Sequence, residues 1–316
     1  MRLLVPLACA ILACAKPPDL RLALRLDPHQ VLLIGAELQS VDEPHLARYP
    51  KSPLHSDLQP GESIYLFDHA APWRRGDRWQ LYPETRVRID QLGVITYCGG
   101  IGGYEIAIAR ADHPLQADVF VGQSSRPARG LQVAPASLAT ITLPPADSAK
   151  LTALLVREAR DIVKAEDWMV LPGEPAEHAD RIRRANRSVL SGALPPPQLR
   201  VQRWTPRSGS PLLFIEAVWL APNGDPLFAC DAIFFQGAAT VQRWFSARKA
   251  ERMRESFGSN DWSLDSRSPF LAAYEIEGRP YVLLYEEGYE GFRVSLQELV
   301  PLKGLVPTGI TFGAGC

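Results

Sequence analysis

The chain is short of histidine and cysteine, carries no excess of one charge, and opens on an apolar run too short to cross a bilayer. Each shortage removes a class of protein. Its 6 histidines (His29, His45, His55, His69, His113 and His178) all lie in the first two-thirds. None is spaced two, three or four residues from a second ligand in a metal-binding pattern. The 5 cysteines include no C-x-x-C pair, so a structural zinc site is disfavoured. With 34 Lys+Arg against 35 Asp+Glu there is no single-sign field, which argues against nucleic acid as a partner, because that affinity rests on basic contacts to phosphate. Leu3 to Leu12 (LLVPLACAIL) falls well below the roughly 20 residues of a spanning helix. Enzyme signatures are missing too: there is no G-x-S-x-G, no H-E-x-x-H and no P-loop.

What is present is a folded, strand-rich chain. Of 316 residues 46% are hydrophobic and 22% charged, enough to bury one large core or two ordinary ones. The 28 prolines exceed the roughly 16 expected from average usage and favour turns and extended connections over long helices. The strongest pattern runs from Leu212 to Leu299. Leu212 to Leu220 and Leu227 to Phe235 are aromatic-rich strands flanking Asn223-Gly224, a hairpin signal. Phe270 to Ile276, Tyr281 to Glu286 and Phe292 to Leu299 predict three more strands with glycine at each bend.

Earlier segments fill in the organisation. Val31 to Ile34, Ser63 to Phe67, Arg78 to Leu81, Thr85 to Tyr97, Tyr104 to Ala109, Val119 to Val121 and Ala139 to Leu143 read as short strands. A helix follows, capped by Asp147 or Ser148, with Leu151, Leu154, Leu155, Ala159, Ile162 and Val163 on one stripe. A second, shorter helix is predicted over 175–190, and Pro195-Pro196-Pro197 stiffens the linker behind it. The expected fold is α+β, predominantly antiparallel β: two β units with a helical pair between them. The boundaries are 16–145 for the first β unit, 146–190 for the helical pair, 191–198 for the linker and 199–316 for the second β unit, after a signal peptide at 1–15.

Met1-Arg2 and the apolar run read as an export signal. Ala13-Cys14-Ala15 is an A-x-A site for cleavage before Lys16, while Ile11-Leu12-Ala13-Cys14 resembles the lipobox of bacterial lipoproteins. That resemblance implies lipidation of Cys14. It also implies an outer-membrane destination, since no Asp follows the cysteine. An exported domain meets an oxidising compartment, so one disulfide is expected: Cys98 with Cys316, or alternatively Cys98 with Cys230. Cys230 also reads as a small buried hydrophobe in a strand.

Two loops concentrate binding chemistry. Trp73-Arg74-Arg75-Gly76-Asp77-Arg78-Trp79 joins aromatic and guanidinium groups, with Trp73, Arg75 and Trp79 as the stacking candidates. The competing reading is a turn between strands whose tryptophans pack inward. Tyr285 to Gly291 holds Glu286, Glu287, Tyr289 and Glu290, which could bind a cation or act as acid and base, or could form a solvated bend. Gly99 to Gly103 lacks the phosphate-cradle spacing and leads into a strand. Ser246-Ala247-Arg248-Lys249 has an S-x-x-K spacing without its partner motifs, and His55-Ser56-Asp57 with Asp68-His69 offers adjacency but not convergence. No catalytic residue or cofactor follows. The sequence favours a non-enzymatic envelope protein that binds a partner protein or a cell-wall component, touching the membrane only through a lipid. A secreted hydrolase with a carboxylate site and a periplasmic inhibitor or immunity-type binder are the alternatives.

Overall fold

The computed structural model describes residues 20–38, 46, 48–52, 63–67, 73–83, 85–97, 102–125, 131–165, 183, 187, 190–191, 194–207, 209–220, 226–235, 244–249, 270–287, 291–300 and 303–315. Its first unit holds β1 (Leu20–Asp27), β2 (Gln30–Leu38), β3 (Ser63–Phe67), β4 (Arg78–Tyr82), β5 (Thr85–Tyr97), β6 (Gly102–Ala111) and β7 (Val119–Ser124). Every pairing is antiparallel, and the order β4-β7-β1-β2-β6 returns to β4 through β5, so six strands close into a barrel with β3 appended to β5. Closure removes the free edges of those six strands.

The barrel is filled and also covered. Ala23, Val31, Leu33, Leu81, Val87, Ile89, Leu92, Ala107, Ala109 and Phe120 point inward, while Leu22, Leu24, Leu32, Ile34, Ile106, Ile108, Val119 and Val121 belong to a second buried cluster on the outside. Alternation along a strand puts successive side chains on opposite faces, so runs such as Val31-Leu32-Leu33-Ile34 are apolar without a break because both faces are buried.

The outer cover is a sheet of β8 (Val133–Pro135), β14 (Phe270–Ile276), β15 (Arg279–Glu287), β16 (Gly291–Val300) and β17 (Gly304–Gly315), ordered β17-β16-β15-β14-β8. Tyr274, Ile276, Tyr281, Leu283, Val294, Leu296, Ile310 and Phe312 press on the barrel. Its opposite face, with Ala273, Val282, Leu284 and Leu299, packs on Trp204, Leu212, Phe214 and Ile233 of a further sheet. That sheet consists of β9 (Ala139–Ile141), β10 (Gln198–Trp204), β11 (Leu212–Leu220), β12 (Pro226–Phe235) and β13 (Trp244–Lys249), ordered β13-β12-β11-β10-β9. Helix α1 (Pro145–Ala165) closes the stack, burying Leu155 against Val201, Ile215, Ala217, Trp219, Cys230 and Ala232. It starts two residues ahead of Asp147, which therefore lies in the first turn, where a negative charge meets the positive end of the helix dipole.

The fold is predominantly antiparallel β, as expected, but the helical pair between two β units is not borne out. One helix, α1, is described, and of 175–190 only residues 183, 187 and 190 are. The two β parts meet directly, sheet on barrel. A helix offers one apolar stripe, whereas the barrel's broad outer face needs the flat apolar face of a sheet to cover it. Val133–Pro135 and Ala139–Ile141, which the sequence places at the end of the first unit, pair with β14 and β10 and so belong to the later sheets.

Candidate functional site

The loop of 73–79 is held by its own backbone. Gly76 has φ +85°, a conformation a side chain would resist, and its N–H donates to the Ile89 carbonyl at 2.8 Å. The Ile89 N–H returns to the Asp77 carbonyl at 2.9 Å, and Asp77 Oδ2 accepts from the Arg74 N–H at 3.1 Å. Trp73 and Trp79 are buried in the barrel, ring centroids 6.5 Å apart and edge to face. They offer no stacking surface. The arginines are what the loop presents to water: Arg74, Arg75 and Arg78 are all exposed, with Arg75 reaching the Phe67 carbonyl at 3.5 Å.

Sheet register then extends this group. Arg78 lies opposite Arg88, and Arg88 lies opposite Arg110, so three arginines stand side by side on β4, β5 and β6. Directly opposed residues share a face. Their neighbours Trp79, Val87, Ile89, Ala109 and Ala111 point inward, which sends the three guanidinium groups outward. Arg86, one step along β5 from Val87, is exposed on that same outer side, opposite Gln80. A carboxylate sits among them: Asp90 Oδ2 is 3.3 Å from Arg110 Nε and Oδ1 is 3.8 Å from Arg88 Nη2. Both arginine side chains remain about two-thirds exposed (68% and 65%), so this pairing leaves most of their hydrogen-bonding capacity facing solvent.

Like charges placed directly opposite across strands cost about 0.2–1 kcal/mol per pair, and exposed ion pairs return about 0–1 kcal/mol. The Arg78–Arg88–Arg110 rung is thus a place where an anion would relieve repulsion. Guanidinium groups present forked donors that match carboxylate, phosphate and sulfate oxygens. Of the rung, the sequence reading noticed only Arg78, as part of the loop. The signal for the rest lay in Thr85-Arg86-Val87-Arg88-Ile89 and Ala109-Arg110-Ala111, where each outward polar step is an arginine.

The other candidates are placed as follows. Glu286 is half-buried on β15 opposite Arg293, and Glu287 lies opposite Phe292. Tyr289 and Glu290 lie outside the described residues. Tyr285 stacks on Phe292 at 5.9 Å, the outer end of an aromatic seam that continues through Phe312 (5.7 Å), Tyr104 (5.1 Å) and Tyr97 (6.0 Å). The Tyr104 hydroxyl accepts the Gly313 N–H at 3.3 Å, and burial first, then the nearby Glu37 carboxylate, push it up to about 12. This seam ties the barrel to its covering sheet.

Cys14, Cys98 and Cys316 lie outside the described residues, as do His55-Ser56-Asp57 and Asp68-His69. Cys230 is fully buried against the α1 side of β12. The stretch 246–249 lies on strand β13, where a spacing of three does not give the one-turn adjacency of a helix. Among the described residues two carboxylates face each other across strands, Glu216 opposite Asp231, with Arg200 Nη1 4.0 Å from Glu216 Oε2. Asp231 has 0% exposure, which seals it from any substrate. Among the described residues no group of three His, Cys, Asp or Glu side chains is placed to hold a metal ion. Compared with known proteins, the chain matches no family model, no curated protein and no solved structure.

Proposed function

We propose that the chain is an exported envelope protein, anchored through a lipid on Cys14, that works as a binding module for an anionic envelope component and not as an enzyme. The observation that carries this reading is the Arg78–Arg88–Arg110 rung, three exposed guanidinium groups at opposed positions, of which Arg88 and Arg110 share Asp90 as a counter-charge. Arg86 widens the same face, and Arg74 and Arg75 are exposed in the loop that leads into β4. A rigid barrel holds these groups in register, so an anionic partner meets a preorganised surface and little ordering entropy opposes binding. The Cys98–Cys316 disulfide belongs to the same reading, as the bridge an oxidising compartment would supply.

The test is salt elution of the full-length chain from an immobilised sulfated polysaccharide. The wild type is expected to elute at clearly higher salt than an Arg78→Gln/Arg88→Gln/Arg110→Gln variant, while a triple Lys variant stays close to the wild type. Equal elution of wild type and Gln variant would remove the arginine face as the binding surface. Fractionation of the wild type beside Cys14→Ser tests the anchor separately. Equal periplasmic solubility of both would mean cleavage after Ala15 without a lipid, and cytoplasmic retention of both would end the export reading.

A further inference from the structure

The start of β1 and the arginine face lie close together on the barrel. Leu20, the first residue of β1, is opposite Gln123 of β7, Gln123 is opposite Gln80 of β4, and Gln80 is opposite Arg86 of β5. One residue beyond the end of β7, the Ser125 N–H donates to the Arg78 carbonyl at 2.9 Å. The start of β1 is therefore two strands from Arg78, about 10 Å at ordinary strand spacing. From Cys14 to Leu20 there are six Cα steps. At full extension these reach about 20 Å. A lipid on Cys14 would thus keep Arg78 within about 30 Å of the headgroups, and a tether shorter than its full extension lets the face come down to the surface, inside the roughly 10 Å over which the potential of an anionic leaflet is felt.

Resting on the anchored-binder reading above, we propose that the anionic component is the membrane itself: Arg78, Arg88 and Arg110, flanked by Arg74, Arg75 and Arg86, dock on the anionic phospholipid headgroups of the bilayer that holds Cys14. Three features favour this occupant over a soluble one. The guanidinium groups stand side by side across three strands on the outside of the barrel, suiting a surface better than a small ligand; the carboxylates described among them are engaged, Asp77 with the Arg74 N–H and Asp90 with Arg88 and Arg110; and six residues of tether are long enough for the face to reach the headgroups.

The experiment is co-sedimentation of the full-length Cys14→Ser chain with vesicles of pure phosphatidylcholine, or of phosphatidylcholine containing roughly a third phosphatidylglycerol, at low and high salt. Binding to the neutral vesicles sets the baseline from the apolar segment at residues 3–12. Each arginine near an anionic surface is worth about fivefold in partitioning. The Arg78→Gln/Arg88→Gln/Arg110→Gln variant should therefore lose on the order of a hundredfold on the anionic vesicles at low salt and nothing on the neutral ones. A control variant, Arg157→Gln/Arg183→Gln/Arg187→Gln, should keep its binding, and a triple Lys variant of the rung should keep most of it. Equal partitioning onto both vesicle types, or equal loss in the control, overturns the proposal. If the polysaccharide column still separates wild type from the rung variant while the vesicles do not, the binding-module reading stands and the membrane docking falls; if neither separates them, both fall.

Discussion

Arg78 and Trp79 are neighbours in sequence, and the step between them separates water from core. Trp79 fills the barrel beside Trp73, Val87 and Phe120, so Trp79→Ala should cost about 3–5 kcal/mol, read as a lower urea midpoint at unchanged slope. Arg78→Gln should change stability by less than about 0.5 kcal/mol, or raise it slightly by relieving the Arg88 neighbour. A loss above 1 kcal/mol for the arginine would mean that the rung stabilises the fold and is not a binding face. This division was legible in the sequence, because Arg-Trp-Gln-Leu and Arg-Val-Arg-Ile alternate with period two. Which arginines meet was not legible. Arg88 and Arg110 are brought together by a bulge between Ile89 and Gln91 that shifts the β5–β6 register, and nothing local in either segment announces it.

Strand β5 serves three partners: β4 along 85–88, β3 along 92–96, and β6 along its other edge. At Gly93 the Tyr65 carbonyl of β3 approaches so closely that a Cβ would collide with it. Gly93→Ala should therefore destabilise by about 1–3 kcal/mol and loosen β3 before the barrel, seen as faster amide exchange in 63–67 than in β1 or β2. Uniform exchange across all three strands would show that β3 is integral to the barrel. Elements with strong local signals, the strands at 212–220, 270–276, 281–286 and 292–299, are where the sequence placed them. The three-residue strands β8 and β9 carry too little pattern to announce their pairing with β14 and β10, and the closing contacts β1–β7 and β4–β7 are long-range choices made by packing.

At the scale of the whole molecule, barrel, two sheets and helix form one stack of buried layers, and tyrosines mark the first junction. Tyr274 donates its hydroxyl to the Tyr82 carbonyl at 3.2 Å, and burial raises the phenols of Tyr82, Tyr97, Tyr104 and Tyr274 above their usual 10. A raised phenol keeps its proton longer in the fold than in the unfolded chain, so its contribution is intact below pH 10. It is then lost as pH climbs from 10 toward the value of about 12 at Tyr104. Cooperative alkaline unfolding is expected in that window by tyrosine absorbance and circular dichroism together, and Tyr104→Phe should flatten its onset. Tyrosine ionisation without loss of structure would contradict the junction. The core at that junction draws on both extremes of the chain: Leu20, Leu22 and Leu24 of the first strand pack in one cluster with Ile310 and Phe312 of the last. In synthesis from the amino end, the opening strands are made long before their final cover arrives. Completion of this core therefore waits for β17, and a nonsense codon near position 303 would leave the apolar residues that Ile310 and Phe312 cover exposed for quality-control proteases to find.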